Sequence, residues 1–343
     1  MPGITVAVLT NTGGAHLDAY LAGLAVTEEV EAVVVADPGG ASEASAKKTL
    51  GAKLKGFERE HSKALAEHQP TLALITMEAV HSPPAIRAAL EANCHVLAEK
   101  PSCVRAEDFE PLARLADMKH RHLTLALANR LLGTVQAARK LIQSGQIGKM
   151  FGCELHIVAD QTRLKSPTYH QSWFADKARA GGGHLIWLGI HWLDLAMYLT
   201  GSKIVEAAGF TGIVGGQPLK AEDSAAMALR FDNGSFGTLT SGYYLDRGYH
   251  SHIKIWGSQG WVQLDPHGGG PLQWFSAKDP SPQIKKYEGP ADQASYTPLV
   301  KECVRAAMGL SPPPLTGAES FHVLKTVFAC YRAAETGRSQ RVT

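Results

Sequence analysis

The chain has 343 residues, of which 45% are hydrophobic and 19% are charged, and its formal net charge is +2. This composition predicts a globular protein with room for two domains, and the near-neutral charge argues against nucleic acid as a partner. The five cysteines are scattered without metal-ligand spacing, so we expect no metal site. The chain shows no signal-peptide pattern and no apolar run of membrane-spanning length. We therefore expect a cytoplasmic protein with no membrane partner.

The first part of the chain alternates short apolar runs with helical patterns. Strands are predicted at 4–9, 32–36, 72–76, 95–98 and 123–128. Helices are predicted near 15–26, 42–50, 58–68, 81–92 and 106–120. Alternation of this kind predicts an α/β fold, in which a parallel sheet carries helices on both faces.

The connection Leu9–His16, between the first strand and the first helix, lies where a dinucleotide-binding fold keeps its phosphate loop. The usual G-x-G-x-x-G spacing is absent, because Thr10 and Thr12 stand where glycine is expected. We expect Gly13 and Gly14 to make the tight turn and Thr12 to donate its hydroxyl to a phosphate. A plain strand-to-helix turn is an equally good interpretation.

Asp37 directly follows the second predicted strand. An acid at this place accepts hydrogen bonds from the ribose hydroxyls of the adenosine, and it repels a 2′-phosphate. NAD is therefore expected as the cofactor, with NADP disfavoured. The alternative is that the carboxylate makes an Asx turn ahead of Pro38.

The run His95–Pro101 predicts a buried strand that ends in Glu99 and Lys100. Ligands of open α/β sheets bind beyond the carboxyl ends of the strands, so Lys100 is expected in a crevice. Pro101 has a fixed φ and should hold the lysine in place. The alternative is a surface lysine beside a turn proline.

The second part of the chain begins with a strand at 151–158 and a long irregular run to Ala180, which contains Tyr169 and Trp173. These aromatics either stack on a sugar ring or cover a sheet edge. A helix is predicted at 184–200, where Trp187, His191 and Asp194 share one face through their spacing of i, i+4 and i+7.

The remaining residues predict a meandering antiparallel sheet followed by two helices. The strands are expected at 204–214, 224–231, 235–243, 250–257 and 260–265. Residues 266–290 are rich in glycine and proline and are expected to form a loop, and the helices are expected at 293–309 and 317–337.

Several motifs, taken in their order, resemble the glucose–fructose oxidoreductase/inositol dehydrogenase/rhizopine catabolism (Gfo/Idh/MocA) family. They are Leu74–Thr76, His81, 85–92, His95–Pro101, Asn129-Arg130, 141–149, 181–183, 189–194, 315–317 and 333–338. The resemblance implies a Rossmann-type dinucleotide-binding domain over 1–128. It also implies a C-terminal α/β domain over 129–343 with a large, mostly antiparallel open sheet. The last helices are compatible with packing back on the first domain.

The resemblance also implies roles for particular residues. Lys100 and His191 are expected to be catalytic, His191 as the acid or base and Lys100 as the group that polarises the reacting oxygen. The residues expected on the cofactor side are Thr10, Thr12, Gly13, Gly14, Asp37, Thr76, His81, Glu99 and Lys100. Those expected on the substrate side are Tyr169, Trp173, His184, Trp187 and Asp194. Orienting the helix is the favoured role for Asp194.

Two positions depart from the family pattern. An aspartate usually stands four residues before the histidine, whereas this chain has Trp187, whose indole cannot accept a hydrogen bond as a carboxylate does. A glycoside or an aryl-bearing substrate would account for the change, and His184 could supply part of the missing polarity. Met77-Glu78 stand where the family tends to have Pro-Asn near the nicotinamide.

The resemblance thus implies an NAD-dependent oxidoreductase that acts on a sugar, polyol or glycoside and forms a dimer or tetramer through the C-terminal sheet. One alternative is an NAD-using glycosidase or lyase, which oxidises a sugar transiently without net redox change. A second is a non-catalytic NAD-sensing regulator. The retained pair Lys100 and His191 argues against the regulator, while the glycine-poor loop favours it mildly.

Overall fold

The computed structural model of the protein describes residues 3–245, 247–267, 269–292 and 295–343, and the chain divides into two compact units. The N-terminal unit contains the residues up to Ala128, with Ala178–Gly181 and Ser295–Phe321. The C-terminal unit contains Asn129–Lys177, Gly182–Ala294 and His322–Thr343. No helix in the described ranges is both long and apolar enough to cross a membrane.

The N-terminal unit is built on a parallel sheet of six strands in the order β3-β2-β1-β4-β5-β6. The strands are β1 (Ile4–Thr10), β2 (Val30–Ala36), β3 (Leu54–Glu58), β4 (Leu72–Thr76), β5 (His95–Ala98) and β6 (Leu123–Leu125). The helices are α1 (Leu17–Val26), α2 (Glu43–Leu50), α3 (His61–His68), α4 (Ser82–Glu91) and α5 (Ala106–Met118). This strand order is that of the Rossmann fold, which confirms the predicted α/β architecture.

The central strands of this sheet are apolar because both of their faces are covered. In β4 all five residues are buried, and β1 is buried at six of its seven positions. A strand enclosed on both sides reads as a continuous apolar run, which is why the sequence predicts it well. The edge strand β3 is only half-buried and contains Lys55 and Gly56, and the sequence interpretation missed it.

The C-terminal unit contains a sheet of nine strands in the order β14-β13-β12-β11-β7-β10-β9-β8-β15. Its first helices are α6 (Gly133–Gln143), α7 (Pro167–Gln171) and α9 (Ile190–Thr200), whereas α8 (Lys177–Ala180) belongs to the N-terminal unit from Ala178 onward. Its first strands are β7 (Met150–Asp160), β8 (Ile204–Gly212), β9 (Ser224–Phe231), β10 (Phe236–Leu245) and β11 (Tyr249–Gly257). The next are β12 (Gly260–Leu264), β13 (Gln273–Ser276) and β14 (Lys285–Lys286). Two helices and a strand end the chain: α10 (Thr297–Ala307) in the N-terminal unit, α11 (Gly317–Thr336), which enters the C-terminal unit at His322, and β15 (Gln340–Arg341) in the C-terminal unit.

This sheet is mostly antiparallel, as expected, but it is not a simple meander. Strand β7 lies between β11 and β10 and runs parallel to β10. The predicted loop at 266–290 contains the short strands β13 and β14, and the predicted irregular run before Ala180 contains short helical turns. Residue 268 of that loop, and residues 293 and 294 of the predicted helix 293–309, lie outside the described residues.

Candidate cofactor and catalytic sites

A cavity of about 550 Å³ lies at the carboxyl ends of β1 and β2 in the N-terminal unit. Its wall is formed by the loop Asn11–Gly14, the first turn of α1, Asp37 and residues at the start of α2. The ligands of doubly wound sheets bind at this edge. The structure therefore brings Thr12, Gly13, Gly14 and Asp37 together in one concave site.

The loop can turn without the usual glycine spacing because its positive φ angles do not fall at Thr10 or Thr12. They occur at Gly13, with φ 87°, and at His16, with φ 57°, so neither threonine has to adopt one. A Cβ atom added to Gly14 would collide with the Thr10 hydroxyl and with the backbone carbonyl of Thr76. Thr76 also donates its hydroxyl to the carbonyl of Ala15 at 2.5 Å. Thr10 of β1 and Thr76 of β4, both buried, thus pack against the loop and fix its position.

The carboxylate of Asp37 accepts hydrogen bonds from its own loop. Oδ1 accepts the N–H of Gly39 at 3.0 Å, and Oδ2 accepts the N–H and the hydroxyl of Ser42 at 3.0 and 2.8 Å. Burial acts to raise the pKa of Asp37, but these hydrogen bonds outweigh it and hold the pKa below its usual value. The Asx turn that the sequence offered as an alternative is present. A carboxylate has about four acceptor positions, so the turn still leaves room for a ribose hydroxyl.

Glu99 and Lys100 are buried after the end of β5, with 3% and 2% of their surface exposed. The Tyr20 hydroxyl donates to Oε2 of Glu99, and Nδ1 of His16 lies 3.2 Å from the same oxygen. Burial raises the pKa of Tyr20 well above its usual value, so the phenol remains a donor. Oε1 of Glu99 is buried and has no hydrogen-bond partner among the described residues.

An orphaned carboxylate oxygen is costly in the protein interior, and a ligand that donates a hydrogen bond would satisfy it. The Rossmann edge therefore fits a dinucleotide at three places. The loop Asn11–Gly14 can face the phosphates, and Asp37 can face a ribose. Glu99 can accept a hydrogen bond from an amide group of the ligand. The Lys100–Pro101 peptide bond beside it is cis.

Glu78, at the position where the family tends to have asparagine, is held by an arginine of the same unit. Arg179 donates from Nε to Oε2 at 2.9 Å and from Nη2 to Oε1. Nε2 of His81 lies 3.9 Å from Oε2, and the His81 side chain is largely exposed. Both carboxylate oxygens of Glu78 are thus engaged by Arg179.

In the C-terminal unit, α9 carries His191, which is 7% exposed, and Asp194, which is 1% exposed. Nε of Arg130 lies 3.0 Å from each carboxylate oxygen of Asp194, and Nη2 lies 2.6 Å from Oδ1. This is a buried, bidentate ion pair. Both carboxylate oxygens of Asp194 are thus engaged by Arg130, an arrangement compatible with the favoured expectation that Asp194 orients the histidine side of the helix.

Trp187 lies in an aromatic cluster, although not in a regular α-helix. Residues Leu185–Gly189 form a π turn that leads into α9. The ring centroid of Trp187 is 5.7 Å from that of Trp173 and 4.7 Å from that of Phe174. Tyr169 stacks on Phe174 at 6.3 Å. The structure therefore brings the three predicted aromatics together and adds Phe174, which the sequence interpretation missed.

His184 is fully buried, which differs from the expected contact with a substrate. Its Nδ1 lies 2.6 Å from the hydroxyl of Ser241, and its ring meets the ring of Tyr243 edge-on at 4.3 Å. Burial lowers the pKa of His184 to about 3, so the imidazole is neutral near pH 7. Because the His184 ring has no exposed surface, it packs in the interior of the C-terminal unit against Ser241 and Tyr243.

Two family models match the chain. Residues 9–127 match the oxidoreductase family with an NAD-binding Rossmann fold, and residues 135–263 match the GFO/IDH/MocA C-terminal domain. D-glucoside 3-dehydrogenase of Escherichia coli (strain K12) is 25% identical over 267 residues, which are 73% of each chain. Myo-inositol 2-dehydrogenase of Thermotoga maritima is 22% identical over 272 residues, which are 74% of this chain and 75% of that one.

The fold is also that of a solved enzyme. A structure of levoglucosan dehydrogenase in complex with NADH and L-sorbose superposes with a TM-score of 0.85 over 100% of both chains, at 20% identity. At this identity the likeness concerns the fold. With both domain models matched in order, the chain belongs to the Gfo/Idh/MocA family and is a dehydrogenase or reductase with an NAD-binding Rossmann domain.

Proposed function

We propose that this enzyme transfers a hydride between NAD and a hydroxyl or ketone group of a sugar, polyol or glycoside. The observation that carries the proposal is the burial of two ionisable side chains, Lys100 and His191, which lie within the segments that the two family models match. The names of the similar proteins, D-glucoside 3-dehydrogenase and myo-inositol 2-dehydrogenase, support a polyhydroxylated ring as substrate.

His191 is the proposed acid and base. When bound, NAD supplies the site that accepts or returns the hydride. As the carbon–hydrogen bond of the alcohol breaks, the hydroxyl proton passes to the imidazole of His191, and a ketone is left. In the reverse direction the imidazolium returns that proton to the oxygen. Imidazole suits this role because its ordinary pKa lies near neutral pH.

Lys100 is proposed to donate a hydrogen bond to the same substrate oxygen. Negative charge grows on this oxygen as the proton leaves, and a preorganised donor in a buried site stabilises it more strongly than water does. On the cofactor side we propose Thr12, Gly13 and Gly14 for the phosphates and Asp37 for the ribose. The predicted roles of Thr10, Thr76, His81 and Glu99 beside the cofactor are proposed in the same sense.

The aromatic cluster favours a substrate with a ring. Trp187, Tyr169 and Phe174 are only partly buried, whereas Trp173 is buried beneath them. Aromatic faces suit the apolar face of a sugar. A second candidate function uses the same residues, namely transient oxidation of a glycoside followed by elimination and re-reduction. Accumulation of NADH during turnover would support the dehydrogenase, and product formed without it would support the second candidate.

We also propose that the exposed face of the nine-stranded sheet packs on a second copy of the chain, giving a dimer or tetramer. Phe210, Phe236 and Trp256 are 78%, 57% and 37% exposed. Phe236 and Trp256 both pair with Gly152, so they lie on one face of the sheet. Phe210 lies on the same face, because it pairs with Ala226, which pairs with Thr240, four residues beyond Phe236 in β10. Light scattering of the purified protein measures the number of subunits.

The proposed chemistry is tested with His191→Asn and Lys100→Ala. We expect each substitution to lower kcat by about 10²- to 10⁴-fold on a glycoside or polyol that reduces NAD, because each removes a group acting on the reacting oxygen. His191→Asn should retain NADH binding. His250→Asn and Lys48→Ala, at exposed positions, are the matched controls. Near-normal turnover by both active-site variants would contradict the proposal.

A further inference from the structure

The helix that carries Trp187 and His191 begins in an unusual way. The first N–H groups of any helix lack partners within the helix. Here four consecutive amides are held by two residues that are distant in sequence, Glu222 and Tyr331. The contacts are Gly183 N–H to Oε2 at 2.6 Å, His184 N–H to the Glu222 carbonyl at 3.0 Å, Leu185 N–H to Oε1 at 2.9 Å and Ile186 N–H to the Tyr331 hydroxyl at 3.2 Å.

Glu222 and Tyr331 are themselves bonded, so they form one clamp. The Tyr331 hydroxyl donates to Oε1 of Glu222 at 2.8 Å and accepts the amide of Ile186. A hydroxyl has one proton and two acceptor positions, so both bonds can exist together. Removal from water acts to raise the pKa of Glu222, while Tyr331 and the two amides act to lower it, and burial prevails.

The glycines that precede the helix are explained by the same clamp. A Cβ atom at Gly182 would collide with the Tyr331 hydroxyl, and one at Gly183 would collide with the backbone carbonyl of Glu222. Neither obstacle can move without breaking the clamp. The glycine motif and the pair Glu222–Tyr331 therefore work as one structural device.

The clamp is followed at once by the π turn Leu185–Gly189, which contains Trp187. A π turn holds one residue more than an α-helical turn, and such turns often occur at functional sites. If it tightened to an α-helical turn, the residues before it would rotate about the helix axis by roughly 100° relative to those after it. The orientation of Trp187 relative to His191 depends on this turn.

We propose that Glu222 and Tyr331 are positioning residues for the hydride-transfer site. By binding the first four amides, they hold the π turn and so fix how Trp187 and His191 face a substrate. Neither residue is required to touch the substrate. The inference rests on the proposed role of His191.

Tyr331→Phe removes only the hydroxyl and is the primary test. We expect kcat per NADH-binding site to fall about 10-fold, while the dissociation constant of NADH changes less than about twofold. The limb of the kcat/KM pH profile that depends on His191 should also shift, because the surroundings of the imidazole change. Glu222→Gln should act in the same direction, since its amide group would face the N–H of Gly183. Tyr244→Phe, at an exposed position, is the matched control.

The readouts separate this proposal from a purely structural role. A structural role would lower the melting temperature and the number of active molecules, but kcat per NADH-binding site and the pH profile would stay unchanged, and that result would overturn the proposal. If His191→Asn is inactive while Tyr331→Phe is normal, only the positioning proposal fails. If His191→Asn and Lys100→Ala both turn over normally, the proposed function itself fails.

Discussion

Two helical segments of this protein differ in whether the chain itself binds the amide groups at their N-termini. At the start of α1, no side-chain hydrogen bond caps the helix, and the turn opens on a cavity of about 550 Å³. At Gly183, four amides are bound by Glu222 and Tyr331. Both ends carry a positive partial charge from the helix dipole. The N-terminus of α1 is accessible to an anion, and we call it the open end. The N-terminus at Gly183 is neutralised by Glu222 and Tyr331, and we call it the closed end.

The difference fits the roles proposed for the two units. A dinucleotide brings its own acceptors, so the open end of α1 can leave its amides to the phosphates. The proposed hydride-transfer site needs fixed side chains, and the closed end would supply them by satisfying its amides internally. Substitutions at the closed end should therefore change stability and turnover, and those at the open end should change cofactor binding.

The largest effect expected within this comparison is a loss of protein stability in acid, caused by His184 at the closed end. His184 has a pKa of about 3 in the folded chain, against about 6.5 when unfolded. Between these values the unfolded state binds more protons, so the free energy of unfolding falls as the pH falls below about 6.5. The slope from this group approaches about 1.4 kcal/mol per pH unit, which is about 3 kcal/mol by pH 4. Urea unfolding at several pH values measures it.

His184→Asn is the variant for this experiment, because it keeps a polar partner for Ser241 without a titrating group. Its stability should depend less steeply on pH between 6.5 and 4. His95, whose pKa burial lowers to about 4, contributes in the same direction and leaves a residual slope. Identical slopes for the two proteins would show that His184 does not titrate as the structure indicates.

At the open end, Gly14→Ala should weaken NADH binding by about 30-fold or more, which corresponds to about 2 kcal/mol. The added Cβ meets the Thr76 carbonyl and the Thr10 hydroxyl, so the loop has to move away from its present position. Quenching of tryptophan emission by NADH gives the dissociation constant. Gly212→Ala is the control, since its Cβ would meet only Val214, at 4.0 Å. Unchanged affinity in folded Gly14→Ala would place the phosphates elsewhere.

The smallest effect concerns the choice of cofactor. Asp37→Asn keeps the shape of the side chain and removes its charge, so NADH affinity should fall about 10-fold through the loss of a charged hydrogen bond. NADPH affinity should rise relative to NADH affinity, because the variant has no carboxylate charge to repel the 2′-phosphate. Parallel titrations of NADH and NADPH give the ratio, with Asp117→Asn as an exposed control. A ratio equal to that of the parent would remove Asp37 from cofactor selection.

Much of the architecture could be read from local patterns. The apolar runs of β1, β4 and β5 and the alternation with helices predict the parallel sheet, because strands buried on both faces must be apolar. Lys100 and His191 could be singled out by their motifs. The strand β3 could not, since an edge strand tolerates polar residues and glycine.

The hydrogen-bond partners of the candidate site residues could not be predicted from the sequence, because they lie far away along the chain. Asp194 binds Arg130, which is 64 positions away, and Glu99 binds Tyr20 across 79 positions. The clamp joins Gly183 to Glu222 across 39 positions and Ile186 to Tyr331 across 145. The sequence by itself determined which segments are buried and which residue types can do the chemistry, because these follow from local periodicity and side-chain properties. Only the tertiary structure decided which donors and acceptors meet, because contacts between distant segments leave no periodic signal in the chain.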